Sequence, residues 1–323
     1  MLLTALALAT TANPITLTQP DFDRWMYPYN ATPGFRSAAP TFSAYGAGPF
    51  DDRDGQALYG WTTGDNLELG WPASAYTIHQ CTVSVTILND NVFYDPTLDD
   101  PATHEPDGPQ DEDLGRPTIL SAAGFRNDFD GWTFGEDGPF GVPSVGTRNC
   151  FAADFDDDGQ LRDISNSLSD GFVPNEFAIG QTDAVAPGEL IPIYTELTFE
   201  VDVSDPDIQC YIQNSVSDGL VEFVVSSYHY GTHDGGSYPN WVLKENSLVG
   251  LGLIDAARLT IDVEFIEPSG VIGDIDGDGT VGIEDLLKLL AAYGPCPCCA
   301  SDINGDGVVA VDDLLILIAE WGN

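Results

Sequence analysis

Basic residues are scarce in this chain. Only 10 of its 323 residues are Lys or Arg, against 52 Asp and Glu, so the formal net charge is −42. A phosphate backbone is held by a basic face, so the composition excludes nucleic acid as a partner. An anionic membrane surface repels such a chain for the same reason. Long apolar runs are also missing. None approaches the roughly 18 residues of a membrane helix, so no membrane insertion is expected. There is no Gly-x-Ser-x-Gly, no His-Glu-x-x-His and no phosphate loop, so no catalytic residue can be named. A glycosidase needs two carboxylates across a cleft, and among 52 acids such a pair always exists on paper. Divalent cations and neutral polymers remain as ligands. The plain account of most of these acids is a solvated surface that resists aggregation.

The acidity is not confined to one end. Residues 274–323 hold ten acids and Lys288, a net charge of −9, which leaves −33 upstream. Residues 1–12 read as a signal peptide. Leu2 to Ala9 is apolar and Ala7-Leu8-Ala9 has the small-x-small form of a cleavage site. A positive n-region is missing, since Arg24 is the first base. Six Cys fit an oxidising compartment, and the chain is expected to be secreted or held at a cell surface. Cys81, Cys150 and Cys210 lie upstream; Cys296, Cys298 and Cys299 lie near the end. With three in each part, either a bridge joins the parts or thiols stay free.

Residues 13–268 read as one β-rich domain. Cys81, Val83, Val85 and Ile87 alternate with Thr82, Ser84 and Thr86. Ile191, Ile193, Leu197, Phe199, Val201 and Val203 alternate with polar residues. Val221, Phe223 and Val225 make a third run, and Leu259, Ile261, Val263 and Phe265 a fourth. Period two with one apolar face marks half-buried antiparallel strands. Many such strands cut by Gly, Pro and Asp argue an antiparallel β-sandwich, jelly-roll-like. One inserted helix is expected after Asp205, with Pro206 in its first turn and Gly219 at its end. Ile208, Tyr211, Ile212 and Val216 would face the sheets. Residues 95–115 form an acidic surface loop.

Some smaller features compete with plainer accounts. Asp154-Phe155-Asp156-Asp157-Asp158-Gly159 repeats the first half of a calcium loop. Asp154, Asp156, Asp158 and the carbonyl of Gln160 would be its ligands, although Ser165 stands where a closing carboxylate belongs. An acidic turn is the alternative. His229 and His233 stand four apart, but the glycines around them make a strand end and loop rather than a zinc-binding helix. Trp25, Trp61, Trp71, Trp132 and Trp241 suit either sugar stacking or core packing.

A short link, residues 269–272, leads to the strongest motif, in residues 273–323. Asp274-Ile275-Asp276-Gly277-Asp278-Gly279-Thr280 continues to Asp285. Asp302-Ile303-Asn304-Gly305-Asp306-Gly307-Val308 continues to Asp313. Oxygen side chains fall at positions 1, 3, 5 and 12, with Gly at 6, which is the ligand order of an EF-hand calcium loop. The expected ligands are Asp274, Asp276, Asp278 and Asp285 with the Thr280 carbonyl, and Asp302, Asn304, Asp306 and Asp313 with the Val308 carbonyl. Gly279 and Gly307 permit the sharp turn. A helix follows each loop and none precedes it. Two such units related by a pseudo-twofold can bury each other's apolar faces.

A duplicated loop-helix without its entering helix resembles a type I dockerin domain. The resemblance implies an all-α module at 273–323 that folds around two calcium ions. It implies docking onto a cohesin-like module, in the company of polysaccharide binding or degradation, as in cellulosomes. Ile283-Glu284 and Val311-Asp312 depart from the Ser-Thr pair that often reads the cohesin. The body resembles the secreted jelly-roll domains called DNRLRE domains, which look like carbohydrate-binding modules. That likeness lies in the order of parts from Asp54-Gly55-Gln56-Ala57-Leu58 to Ala257-Arg258-Leu259-Thr260-Ile261. Two other readings stay open. One is a jelly-roll glycoside hydrolase or polysaccharide lyase delivered by the tail. The other is a structural or adhesive extracellular protein.

Overall fold

The computed structural model describes residues 14–28, 30, 32–43, 54–104, 107–109, 114–142, 147–157, 159–231 and 236–323. The signal segment, Asp158, His233 and part of the acidic loop lie outside them. The strands in chain order are β1 (Ile15–Leu17), β2 (Phe22–Met26), β3 (Ala38–Pro40), β4 (Gln56–Thr62), β5 (Tyr76–Thr86), β6 (Thr118–Phe125), β7 (Gly141–Val142), β8 (Thr147–Arg148) and β9 (Cys150–Phe155). They continue with β10 (Leu161–Asp163), β11 (Ala178–Ile179), β12 (Glu196–Glu200), β13 (Leu220–Ser227), β14 (Asn240–Val242), β15 (Arg258–Phe265), β16 (Gly294–Pro295) and β17 (Val308–Val309). The helices are α1 (Gly131–Phe134), α2 (Ser167–Asp170), α3 (Pro206–Asp218), α4 (Ser247–Gly250), α5 (Ile283–Ala291) and α6 (Val311–Ala319).

Two antiparallel sheets face each other. The smaller has the order β1-β15-β5-β12. The larger runs β10-β9-β6-β13-β4-β2, with β11 beside β6. Val83, Val85, Leu259, Ile261, Leu197 and Phe199 from the smaller sheet meet Tyr59, Trp61, Leu120, Val221, Phe223 and Val225 from the larger in one core. The protein is therefore mainly β, with sandwiched antiparallel sheets, as the alternation implied.

The two sheets differ in a way their sequences record. β15 alternates half-buried and buried residues because its outer face meets solvent. β13 is buried along nearly its whole length. A second apolar layer explains this: Met26, Leu58, Ile119, Cys150, Ala152 and Val224 on the outer face of the larger sheet are covered by Phe134, Phe140, Ile164 and Leu168. Strands buried on both faces lose the period-two signal. β2, β4, β6 and β9 all lie in that sheet, and none shows a simple alternation.

Helix α3 follows the expected rules. Asp205 accepts from the backbone N–H of Asp207 and Ile208, and Gly219 closes the helix at φ 83°. Ile208, Ile212 and Val216 are fully covered and Tyr211 packs on the same core. Burial of each aliphatic side chain contributes roughly 1.5–3 kcal/mol. The run expected from Ile191 to Val203 is shorter than its pattern. Only Glu196–Glu200 is strand, since Pro192 cannot donate to a ladder and Tyr194 adopts φ 69°. No helix among the described residues is long and apolar enough to cross a membrane.

The last fifty residues form two loop-helix units with a small core of their own. Val281, Leu289, Val309 and Leu317 are its buried members. Most residues of the first unit match one 28 positions later, Lys288 against Ile316 and Ala292 against Glu320 being exceptions. The pairing is reciprocal. Val281 in the first unit exchanges backbone hydrogen bonds with Gly322 and Asn323 after α6. Val309 in the second pairs with Gly294 after α5. The bridge Cys210–Cys298 ties this unit to α3, Cys296–Cys299 closes a local turn, and Cys81 and Cys150 are buried free thiols. Cys210, placed beside the apolar stripe of α3, thus faces the tail rather than the core.

Candidate metal centre

The two acidic loops are built alike. Asp274 Oδ1 accepts from Gly277 N (2.9 Å) and Asp278 N (3.1 Å), and its Oδ2 from Gly279 N (2.9 Å). Asp302 repeats this with Gly305 N (2.9 Å), Asp306 N (3.1 Å) and Gly307 N (2.7 Å). Thr280 and Val308 donate their N–H to Asp278 (2.8 Å) and Asp306 (3.0 Å). Gly279 (φ 90°) and Gly307 (φ 86°) take the left-handed turn that a β-carbon resists.

Asp274, Asp276 and Asp278 come together, with one oxygen of each within 4.8 Å of the others. Three hard oxygen donors this close repel one another unless a cation lies between them, which is the donor chemistry of calcium. Burial, with help from Asp285 and Asp278, holds the Asp276 carboxyl above its ordinary range. The second loop carries Asn304 at the third position, so its donor set has one charge fewer.

The position-12 carboxylates are placed differently from the expectation. Asp285 is 1% exposed and Asp313 0%. Asp285 Oδ1 accepts from Ile275 N (2.7 Å) and Asp276 N (3.0 Å), and Oδ2 from Gly282 N (2.7 Å). Asp313 does the same with Ile303, Asn304 and Ala310. Each closes its loop and starts its helix, and Asp285 is not among the three acids that converge. Burial opposes ionisation of Asp313, but these three N–H donors outweigh it and hold its carboxyl below the usual range.

The helices leave a repeated apolar face outside. Ile283, Leu287, Leu290 and Tyr293 are 49–62% exposed, and Val311, Leu315, Ile318 and Trp321 are 47–58% exposed. Each member of the first set matches one of the second at a spacing of 28. Six of these eight large apolar side chains lie on two short helices and two just beyond them, and an exposed apolar patch of this kind marks an interaction surface. A cleft of about 280 Å³ separates this unit from the body, lined by Ser74, Ile266, Pro268, Ile272, Asp274 and Asp302 among others. The first position of both loops thus faces the joint.

The other sites read from sequence fare less well. Asp154 is fully buried on β9 and takes both guanidinium arms of Arg162, one at 2.9 Å, together with Asn175 N at 2.7 Å. It serves as the counter-ion of a hairpin, and this corrects the expectation of a calcium loop there. Asp156 and Gln160 form the turn of that hairpin. His229 is buried with Nδ1 2.6 Å from Ser227 Oγ, and burial pulls its pKa down to about 3, so it stays neutral. Trp61 and Trp241 are core residues, whereas Trp132 is 58% exposed.

One group escaped sequence reasoning. Asp23, Glu136 and Glu245 converge in the body as closely as the loop acids do in the tail. They come from distant segments, so no local pattern could have revealed them.

No protein-family model matches the chain, and no curated protein matches it. Among solved structures, the chain is similar to a candidate glycoside hydrolase from Bacteroides vulgatus at 13% identity. That match covers 74% of this chain and 75% of that one with a TM-score of 0.21. At that score neither fold nor activity is inferred from it.

Proposed function

We propose that this is an extracellular modular protein whose last fifty residues bind calcium and then dock onto a partner. The observation that carries the reading is the 28-residue repeat, which duplicates both the acidic loop and the exposed apolar helix face. Calcium in each loop neutralises clustered carboxylates and fixes the start of α5 and α6. The ordered helices then offer two equivalent apolar faces. The likeness to a type I dockerin makes a cohesin-like module the expected partner. Ile283 and Val311, which stand at the recognition positions, are 62% and 55% exposed, so the contact would be more apolar than the Ser-Thr pairs of that family allow. Two disulfides suit an oxidising compartment. By the same likeness the β-sandwich is the cargo, and polysaccharide binding is its expected role. Among the described residues, Phe35 (80% exposed) and Trp132 are the body's most exposed aromatic side chains, open to meet a sugar ring.

Hydrogen exchange of the full chain tests the calcium step. Peptides from 273–323 should be protected in calcium and exchange freely in EDTA. Asp274→Ala with Asp302→Ala should remove that response while leaving the sandwich protected. Equal exchange with and without calcium in the native chain would refute the reading. For docking, Leu287→Ala with Leu315→Ala should weaken calcium-dependent binding to a cohesin panel by tenfold or more, and binding indifferent to calcium would count against it.

A further inference from the structure

The body's acidic cluster is built like a site. Asp23 lies on β2, Glu136 in the turn after α1, and Glu245 in the turn after β14. Asp23 is 0% exposed. Its Oδ2 accepts from Lys244 N at 2.7 Å, but no N–H or hydroxyl among the described residues donates to its Oδ1 or to Oε2 of Glu245, and the Asp23 and Glu245 carboxyls lie within hydrogen-bond reach of each other. A buried carboxylate oxygen without a donor costs ~1–3 kcal/mol or more, and native folds rarely tolerate one unless something binds it. Lys244 Nζ lies 2.8 Å from Glu136 Oε1 and 3.8 Å from Glu245 Oε1. Among the described residues, Lys244 supplies the ammonium that touches this group of three carboxyls. The charge of Arg24 reaches Glu136, but its Nη1 is turned to the carbonyls of Gly135 (3.3 Å) and Gly138 (2.8 Å). Those bonds instead pin the turn that carries Glu136 onto β2. The donors are hard, convergent and held by elements that the fold fixes.

We infer that Asp23, Glu136 and Glu245 bind a hard divalent cation of the calcium class, separate from the tail loops, that locks β2 to the two turns above it. The competing arrangement is a proton shared between Asp23 and Glu245. Burial favours that proton in the absence of an ion, and pushes the Asp23 carboxyl up to about 8. An ion would displace it.

Calcium content separates the two arrangements. Full-length protein carrying Asp274→Ala and Asp302→Ala is stripped with EDTA, dialysed against calcium chloride and assayed for bound calcium. The expected result is one ion per chain, with a calcium-dependent rise in the melting temperature of the sandwich. Adding Glu136→Gln should remove the ion, or weaken it at least tenfold, and abolish the rise. Asp23→Asn is the more direct change, but Asp23 is fully buried and the variant can fail to fold. Glu136 is 28% exposed at its side chain and avoids that problem. No bound calcium at millimolar concentration, or calcium indifferent to Glu136→Gln, overturns the inference. If the tail reading alone is wrong, the native chain and the loop variant will hold the same single ion.

Discussion

In the tail, Asp274, Asp276 and Asp278 are gathered by one tight turn of chain. In the body, Asp23, Glu136 and Glu245 reach the same spacing only because two loops fold down over a sheet. The tail cluster is half-buried to exposed and its oxygens take backbone N–H bonds from within their own loop. The body cluster includes a fully buried acid and leaves two oxygens without an N–H or hydroxyl donor among the described residues. A local cluster can form before the fold is complete, so an ion can take part in ordering it. A dispersed cluster exists only after the fold has closed, so an ion there can only consolidate what is already built. On the proposed reading, calcium in the tail should therefore decide whether α5 and α6 exist, and a body ion should add stability to a sandwich that stands without it.

The largest test of this contrast is to cut the covalent link between the two regions. Cys210 and Cys298 are 88 residues apart, and closing a loop of that size is worth about 4–5 kcal/mol. Cys298→Ser should lower the melting temperature and open residues 268–272 to protease. In calcium, peptides from 273–323 should stay protected from exchange. If they lose protection together with the joint, the tail is not a self-contained calcium unit.

A smaller effect separates the inside of the tail from its outside. Leu289 is 0% exposed and Leu287 is 57% exposed. Leu289→Ala should cost about 2–4 kcal/mol of tail stability, read by calcium-dependent exchange of 273–323. Leu287→Ala should stay within about 0.5 kcal/mol. Similar costs would mean that the apolar face is not free.

A third test concerns how the body treats its acids. Glu222 is buried beneath Gly131, where an added Cβ would lie 1.8 Å from Oε2. Burial, with Asp130 nearby, pushes its carboxyl from 4.5 up to about 8. The folded state then keeps a proton that the unfolded chain gives up. That contribution is complete below about pH 4.5 and is lost as pH rises to about 8, at up to ~1.4 kcal/mol per pH unit. Urea midpoints measured from pH 5 to 8 should fall more steeply in the native protein than in Glu222→Gln. Parallel slopes would show that Glu222 is ionised in the fold.

The tail was legible because its information is local. A twelve-residue loop with donors at alternate positions and Gly at the bend admits few conformations, and the 28-residue repeat announces itself. Its one surprise, the use of Asp285 and Asp313 to close the loops, came from backbone N–H groups, which side-chain spacing does not display. In the body, the alternating strands β5 and β15 and the capped helix α3 were legible for the same reason. β2, β4, β6 and β9 were not, because both faces are covered and burial on both sides erases the period. Asp154 misled because its run of acids looks like a calcium loop until Arg162 is seen across the hairpin.

By itself, then, the sequence determined the chemistry that short stretches of chain can complete: the acidic loops, the helices they start and the half-buried strands. Only the tertiary structure decided which cysteine joins body to tail, which sheet is buried twice, and that Asp23, Glu136 and Glu245 meet. Those outcomes depend on contacts between distant segments. Their closure cost is met by the whole core together, so no local pattern of residues records them.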